Sequence, residues 1–289
     1  MAVSLDDSWR WCRRLTRRTA GNFGYSFLTL PRPQYDAMCA LYAYMRVTDD
    51  LADDTSQPLS DRQASLKNWR REVLAALNGQ IGGHPALPAL AAITTQFGIP
   101  HNALTAVLDG MEFDLSPTPI HTFDDLSQYC YLVAGAVGIC CIHIWGFKDP
   151  AALPLAIRCG RALQLTNILR DLAEDAAQDR FYLPANDLQQ CGYSVADLKA
   201  GRSNQAFYEL TALMAARTRE DYRAAEGLFP LLNPAGRPIL RIMLDIYGEI
   251  FDKLEQSGFN LSQGRVRLSR WRKLWLVGNG WWRPVAKFS

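Results

Sequence analysis

Carboxylates recur four residues apart in two distant parts of the chain: Asp49-Asp50-Leu51-Ala52-Asp53-Asp54 and Asp171-Leu172-Ala173-Glu174-Asp175. Each cluster ends an apolar run with helical spacing. On a helix, residues i and i+4 share one face, one turn apart. Like charges at that spacing repel by about 0.2–0.5 kcal/mol per pair. Building that repulsion twice makes sense if a cation sits between the carboxylates. Oxygen ligands that leave room for water suit Mg²⁺, which is usually held by one or two carboxylates and a substrate's phosphates. A single Asp-rich stretch is more often a solvated loop or helix end. The matched spacing of the two clusters and their apolar settings favour a metal–diphosphate site.

The helices that must carry these groups add to the pattern. Gln164, Asn167, Asp171 and Asp175 follow at steps of three, four and four, so one face carries an amide ladder leading into two carboxylates. Amides so placed can bind a phosphate or hold a metal's water. Tyr42, Arg46, Asp49 (or Asp50) and Asp53 form a matching stripe. Arg46 is a fork-shaped donor suited to phosphate; its plainer role is as the intrahelical partner of Asp49 or Asp50. Arg180 and Tyr182 follow the second cluster, and Arg265 and Arg267 could supply further cations. Residues 129–146 are small and apolar on several faces, as in a buried helix or one lining a cavity. Val133, Ala134, Val137 and Gly138 would floor such a cavity, with Phe23, Tyr25 and Phe27 as walls or ordinary core. The combined expectation is an apolar tunnel closed by carboxylates, magnesium and arginines. That arrangement suits ionisation of an allylic diphosphate, since cations neutralise the leaving group and a dry tunnel shields the carbocation.

The 289 residues are 48% hydrophobic, enough for a sizeable core. A net charge of +2 gives no reason to expect nucleic-acid binding. Arg10, Arg13, Arg14, Arg17 and Arg18 cluster early, and no acid follows Glu255 in a stretch that contains Arg265, Arg267, Arg270, Arg272, Lys273, Arg283 and Lys287. Basic ends suit an anionic ligand or membrane surface; solvated helix faces explain the first cluster equally well. Seven cysteines without a Cys-x-x-Cys, mostly in apolar contexts, predict a reducing compartment and no disulfide framework. Four scattered histidines speak against zinc. A polar, arginine-rich start predicts no signal peptide, and the lack of an 18-residue apolar run predicts no membrane span. The location expected is cytoplasmic, with peripheral contact on the inner membrane face as an extension.

Helical periodicity predicts helices over 34–51, 60–78, 86–97 and 101–115, one from about 123 with Thr122-Phe123-Asp124-Asp125 as its cap, and others over 129–146, 150–175, 203–229 and 235–257. No alternating strand pattern, repeat or linker is present. The fold class is therefore all-α, a single-domain helical bundle around a central apolar tunnel over 1–275, with a basic, Trp-rich tail over 276–289. Toward the C-terminus Trp275, Trp281, Trp282, Arg283 and Lys287 suit an interfacial anchor or, equally, a segment packed on the protein.

Four segments in order carry a resemblance: Asn22-Phe-Gly-Tyr-Ser-Phe-Leu-Thr-Leu-Pro31, Ala40-Leu-Tyr-Ala-Tyr-Met-Arg46-Val-Thr-Asp49-Asp50-Leu-Ala-Asp53, Tyr129-Cys-Tyr-Leu-Val-Ala-Gly-Ala-Val-Gly138, and Leu163-Gln-Leu-Thr-Asn-Ile-Leu-Arg-Asp-Leu-Ala-Glu-Asp175 with Arg180-Phe-Tyr-Leu-Pro184. Over about residues 8–275 the chain resembles the squalene/phytoene synthases, the head-to-head prenyl transferases. The resemblance implies an isoprenoid-synthase fold and three magnesium ions. It places metal ligation on Asp49, Asp53, Asn167, Asp171 and Asp175. Substrate-contacting tyrosines fall on Tyr42, Tyr129 and Tyr247, amides on Gln164 and Asn167, and phosphate-facing arginines on Arg46 and Arg265; Arg180 joins the substrate-binding set. The chain departs from the family at Ala20-Gly21-Asn22, where a hydroxyl or lysine often precedes the Phe matched by Phe23.

Cys141-Ile-His-Ile-Trp-Gly-Phe147 and Arg265-Val-Arg-Leu-Ser-Arg-Trp-Arg-Lys-Leu274 look most like the bacterial enzymes of the hopanoid–squalene pathway. That implies condensation of two farnesyl diphosphates to presqualene diphosphate, with separate downstream enzymes and no NADPH. The absence of a Gly-x-Gly-x-x-Gly fingerprint agrees. The runner-up is condensation of two geranylgeranyl diphosphates to phytoene. From other classes, a non-catalytic membrane-associated lipid-binding protein or a two-metal phosphohydrolase would share the composition.

Overall fold

A computed structural model of the chain describes residues 3–20, 24, 26–262 and 264–279. Among them the regular structure is helical, and the one bridge between extended residues joins Phe147 to Leu232. The helices are α1 Leu5–Thr19, α2 Arg32–Asp53, α3 Leu59–Leu77, α4 Leu87–Phe97, α5 His101–Leu115, α6 Phe123–Trp145, α7 Ala152–Ala177, α8 Ala185–Cys191, α9 Val195–Lys199, α10 Gln205–Glu226, α11 Leu228–Leu231, α12 Arg237–Gln256 and α13 Arg270–Asn279.

Local chemistry sets several boundaries. α2 opens with proline in its first turn, where a missing N–H costs nothing. Thr122 and Asp125 form a reciprocal capping box at the head of α6, as the cap signature predicts. The expected helices from 123 and over 129–146 are one continuous helix. It passes through a π turn at Tyr131–Gly135; such turns insert a residue and shift the facing register, often at functional sites. Pro184, and the Ser194–Asp197 capping box, begin two short helices that periodicity over so few residues does not reveal. α13 runs through residue 275, where the sequence divides domain from tail.

α6 corrects one expectation. By length and composition it is apolar enough to cross a membrane. Here it is a core helix, with Tyr129, Cys130, Ala136, Ile139, Cys140 and Trp145 buried against neighbouring helices.

Glycine lets α6 and α7 touch. A Cβ on Gly160 would lie 2.4 Å from the Ala134 carbonyl oxygen, and one on Gly138 would lie 2.6 Å from that of Ala156. The back of α7 is anchored on α10. Buried Asp221 accepts from Arg158 Nε (2.7 Å) and Arg161 Nε (2.5 Å), and Thr166 and Tyr222 hydroxyls pair at 2.8 Å. Charges held this way are partnered and desolvated together, so removing one side would leave an unpaired buried ion. With its back fixed, α7 presents Gln164, Asn167, Asp171 and Asp175 to the opposite side.

Candidate active site

A cavity with about 1030 Å³ of atom-free space, including the part open to solvent, lies between α2, α6, α7 and α12. Its lining is almost wholly apolar, so it takes an apolar guest. Val133, Ala134, Val137 and Gly138 line it, as do Phe27 and Tyr42. Phe23 and Tyr25 lie outside the described residues. The wall on α7 runs from Ala156 to Asn167, a depth of about 17 Å at 1.5 Å per residue. Met38, Ile142, Trp145, Leu228 and Leu240 line the end remote from the carboxylates. Sequence reasoning missed this floor, because it assembles from four helices. Cys141 and Cys159 also line the wall, and burial pushes both thiols up to about 12, leaving them neutral.

The polar end is built from the predicted stripes. Asn167 Nδ2 donates to Gln164 Oε1 at 3.3 Å, while Asn167 Oδ1 is buried with no hydrogen-bond partner. Tyr247 lines the same end, its hydroxyl kept protonated by burial. One turn further along α7, Asp171 accepts from Arg170 Nε at 2.8 Å and Nη2 at 2.5 Å, and from Arg265 Nη2 at 2.8 Å. Arg265 also lies 3.8 Å from Glu174. Asp175 is pushed up to about 6, first by burial and then by Asp171. Across the mouth Asp49 is pushed up to about 6 by burial and by Asp53. Arg180 bridges the two sides, 3.8 Å from Asp53 and close enough to act on Asp175. Arg46 pairs with Asp50 and stands 3.9 Å from Asp49, which is its intrahelical alternative, yet its Nε is buried without a partner. The Tyr42 hydroxyl donates to Thr19 Oγ1 at 3.2 Å.

Tyr129 stands apart. It is buried, it is not among the residues lining the cavity, and its hydroxyl donates to Asp114 at 3.0 Å. Asp114 and Arg170 were both missed from sequence. Arg170 hides beside Asp171 inside a helix. Asp114 had one signal, an acid in the last turn of a helix, where the dipole disfavours it.

The donor set suits a hard cation. All the candidate ligands offer oxygen, two carboxylate pairs repel at neutral pH, and Asn167 Oδ1 is an orphan acceptor. Among the described residues, no three His, Cys, Asp or Glu side chains converge enough to hold a metal alone. A cation here would need oxygens from a ligand as well, as Mg²⁺ with a diphosphate does.

The model of the squalene/phytoene synthase family matches residues 16–272. The chain belongs to that family. A presqualene diphosphate synthase from Rhodopseudomonas palustris is 34% identical over 85% of this chain and 87% of its own length. A phytoene synthase from Arthrospira platensis is 32% identical over 94% of this chain and 92% of its own. Among solved structures, a dehydrosqualene synthase in complex with ligand superposes with a TM-score of 0.86 at 27% identity, covering 96% of both chains. For a squalene/phytoene synthase the all-α fold is the expected one, and the chain is a prenyltransferase acting on prenyl diphosphates. Asp49 and Asp53 on α2, and Asp171 and Asp175 on α7, lie further along their helices than the last cavity-lining residues Met45 and Asn167, and Val133, Ala134, Val137 and Gly138 line the cavity itself.

Proposed function

We propose that this protein condenses two farnesyl diphosphates head to head into presqualene diphosphate. The observation that carries the reading is the apolar cavity lined by α2 up to Met45 and by α7 up to Asn167, with a carboxylate pair further along each of those two helices. The tunnel can bury hydrocarbon but no charge, so each substrate enters tail first with its diphosphate left at the mouth. Asp49, Asp53, Asn167, Asp171 and Asp175 would hold Mg²⁺, three ions by analogy with the family. When bound, magnesium neutralises the diphosphate and makes it a better leaving group.

The chain's own residues supply the rest. Arg46, Arg180 and Arg265 bind and orient phosphate oxygens. Gln164 and Asn167 fix the register at the tunnel entrance. Val133, Ala134, Val137 and Gly138 keep water from the allylic cation formed when the C1–O bond breaks. The C2–C3 double bond of the second substrate attacks that cation, and loss of a proton closes a cyclopropane. The released pyrophosphate is the better base. The Tyr129 hydroxyl already donates to Asp114, and burial and that carboxylate push its pKa far up. Tyr42 and Tyr247 face the cavity and can steer the cation.

Incubating the protein with Mg²⁺ and farnesyl diphosphate, without NADPH, tests the reading by mass spectrometry. A C30 cyclopropylcarbinyl diphosphate is the expected product. A C40 product from geranylgeranyl diphosphate, with none from farnesyl diphosphate, would move the assignment to phytoene synthase, the reading favoured by the Arthrospira relative. No coupled product from either would sink both and leave lipid binding or phosphate release to be examined. The same reading places the protein in the cytoplasm, handing its product to separate hydrolysing and reducing enzymes, with peripheral membrane contact through the C-terminal tail.

A further inference from the structure

Beside the mouth, off the tunnel wall, side chains from three segments meet. Asp114 sits near the end of α5, and its Oδ1 accepts from the Tyr129 hydroxyl of α6 at 3.0 Å and the Tyr182 hydroxyl at 3.3 Å. The two phenol rings stack, with centroids 4.9 Å apart and 20° between planes, and Phe113 packs on Tyr129 at 5.0 Å. Tyr182 lies in the segment after α7 that also carries Arg180, the cation bridging the two acidic sides. On α6, the turn that follows Tyr129 begins the tunnel wall at Val133. One carboxylate oxygen thus ties the wall helix to the segment that presents a mouth arginine.

The position is a costly one for a carboxylate. It faces the negative end of the α5 dipole, and burial raises its pKa to about 6, with Asp53 adding to the rise. A carboxylate kept at such a position, in contact with a site, is a candidate for function rather than packing alone. A charged acceptor also binds hydroxyls more strongly than a neutral one, and here a single oxygen holds two.

We propose that Asp114 is a positioning residue of the condensation site: by fixing the Tyr129–Tyr182 pair, it holds the tunnel wall and the Arg180 segment in register. The ionised chain is then coupled rather than captured by water. The proposal rests on the prenyl-condensation reading above.

The test is the ratio of coupled C30 product to the prenyl alcohol formed by water capture, measured with farnesyl diphosphate and Mg²⁺ and accompanied by kcat, KM and Tm. Asp114→Asn keeps an acceptor oxygen and should hold the ratio within about threefold, whereas Asp114→Leu should lower it about tenfold or more, since small misplacements near a reacting centre are expensive. Tyr129→Phe combined with Tyr182→Phe removes both donors while leaving the carboxylate, and should reproduce the loss if the Leu variant does not fold. Adding Asp114→Leu to that pair should lower the ratio no further, as expected of residues acting as one unit. An unchanged ratio with only a lower Tm would reduce Asp114 to a structural clamp and overturn the proposal. Equal loss in the Asn and Leu variants would show that the tyrosine pair needs the charged acceptor, and supports the proposal when the double Tyr→Phe variant shows the same loss. A wild-type protein that couples nothing refutes the condensation reading and the proposal with it; one that couples with a ratio insensitive to Asp114 refutes the proposal alone.

Discussion

Asp175→Asn should make the ligand-free protein more stable at neutral pH while abolishing most turnover. Asp175 rises from 3.8 to about 6 on folding, chiefly through burial and then through Asp171. Because its folded pKa lies above the unfolded one, the stability it contributes is fully present below about pH 4 and is lost as pH rises through about 6. The full shift corresponds to about 3 kcal/mol at 1.36 kcal/mol per unit. The side chain is only half-buried, so solvent screening trims this to about 1–2 kcal/mol. For a chain of this size that is a rise in Tm of about 2–4 °C at pH 7. The gap should narrow to about half at pH 5 and close near pH 4, where the wild-type carboxyl is itself neutral. Differential scanning fluorimetry of both proteins across that range measures it. Magnesium with inorganic pyrophosphate should raise the wild-type Tm more than that of the variant. A variant that melts at or below wild type at pH 7, or a gap indifferent to pH, would show that burial and Asp171 together do not penalise the Asp175 charge and would remove the electrostatic argument for a cation there.

Asp49→Asn and Asp171→Asn should likewise lose most activity while remaining folded; near wild-type product formation in either would withdraw that residue from the site. Gly160→Ala forces a Cβ to within 2.4 Å of the Ala134 carbonyl oxygen, so it should cost about 1–3 kcal/mol or more, and a melt matching wild type would refute the close α6–α7 contact. Trp145→Ala opens the tunnel floor and should raise the C40-to-C30 product ratio when both substrates compete; an unchanged ratio would mean that the floor does not measure chain length. Trp271 and Trp275 are exposed on α13, and Trp281, Trp282, Arg283 and Lys287 follow outside the described residues, so deleting 276–289 should reduce flotation with anionic liposomes; undiminished flotation would discard the anchor.

What sequence disclosed was what helices encode locally. The three-and-four spacing gave α2, α7 and α12, the Thr122 capping box gave the head of α6, and the i, i+4 acids gave both sides of the mouth. Val133, Ala134, Val137 and Gly138, expected as the floor, were readable as cavity lining because a helix small on several faces must border something, and they line its side. Contacts between distant segments were not readable. Nothing local to Asp114 announces Tyr129 and Tyr182, and nothing local to Gly160 announces the Ala134 carbonyl. The π turn escaped as well, since it conserves composition while changing register. The expectation of no span rested on the absence of an unbroken 18-residue apolar run; α6 nevertheless has the length and mean hydropathy of a span, and its packing identifies it as core.

The two sides of the mouth are compensated unequally, and this bears on how a diphosphate would be received. Asp171 is bracketed by Arg170 and Arg265 at hydrogen-bond distance. Among the described residues Asp49 has Arg46 at 3.9 Å as its ion-pair partner, and that guanidinium pairs more closely with Asp50. On the α2 side Arg46 is taken up mainly by Asp50 and Arg180 stands 3.8 Å from Asp53, so Asp49 and Asp53 are less closely paired than Asp171. Dications drawn to the α2 pair gain most from the charge they relieve, while the arginines on the α7 side face an arriving anion with their spare donors. Below both, beyond Asn167 and Gln164, the wall from Leu163 to Ala156 offers nothing that could stabilise a phosphate. Charge is therefore held at the mouth by gain on one side and by penalty on the other. That asymmetry, rather than any single ligand, would orient a prenyl diphosphate with its reacting carbon at the boundary between the carboxylates and the dry tunnel.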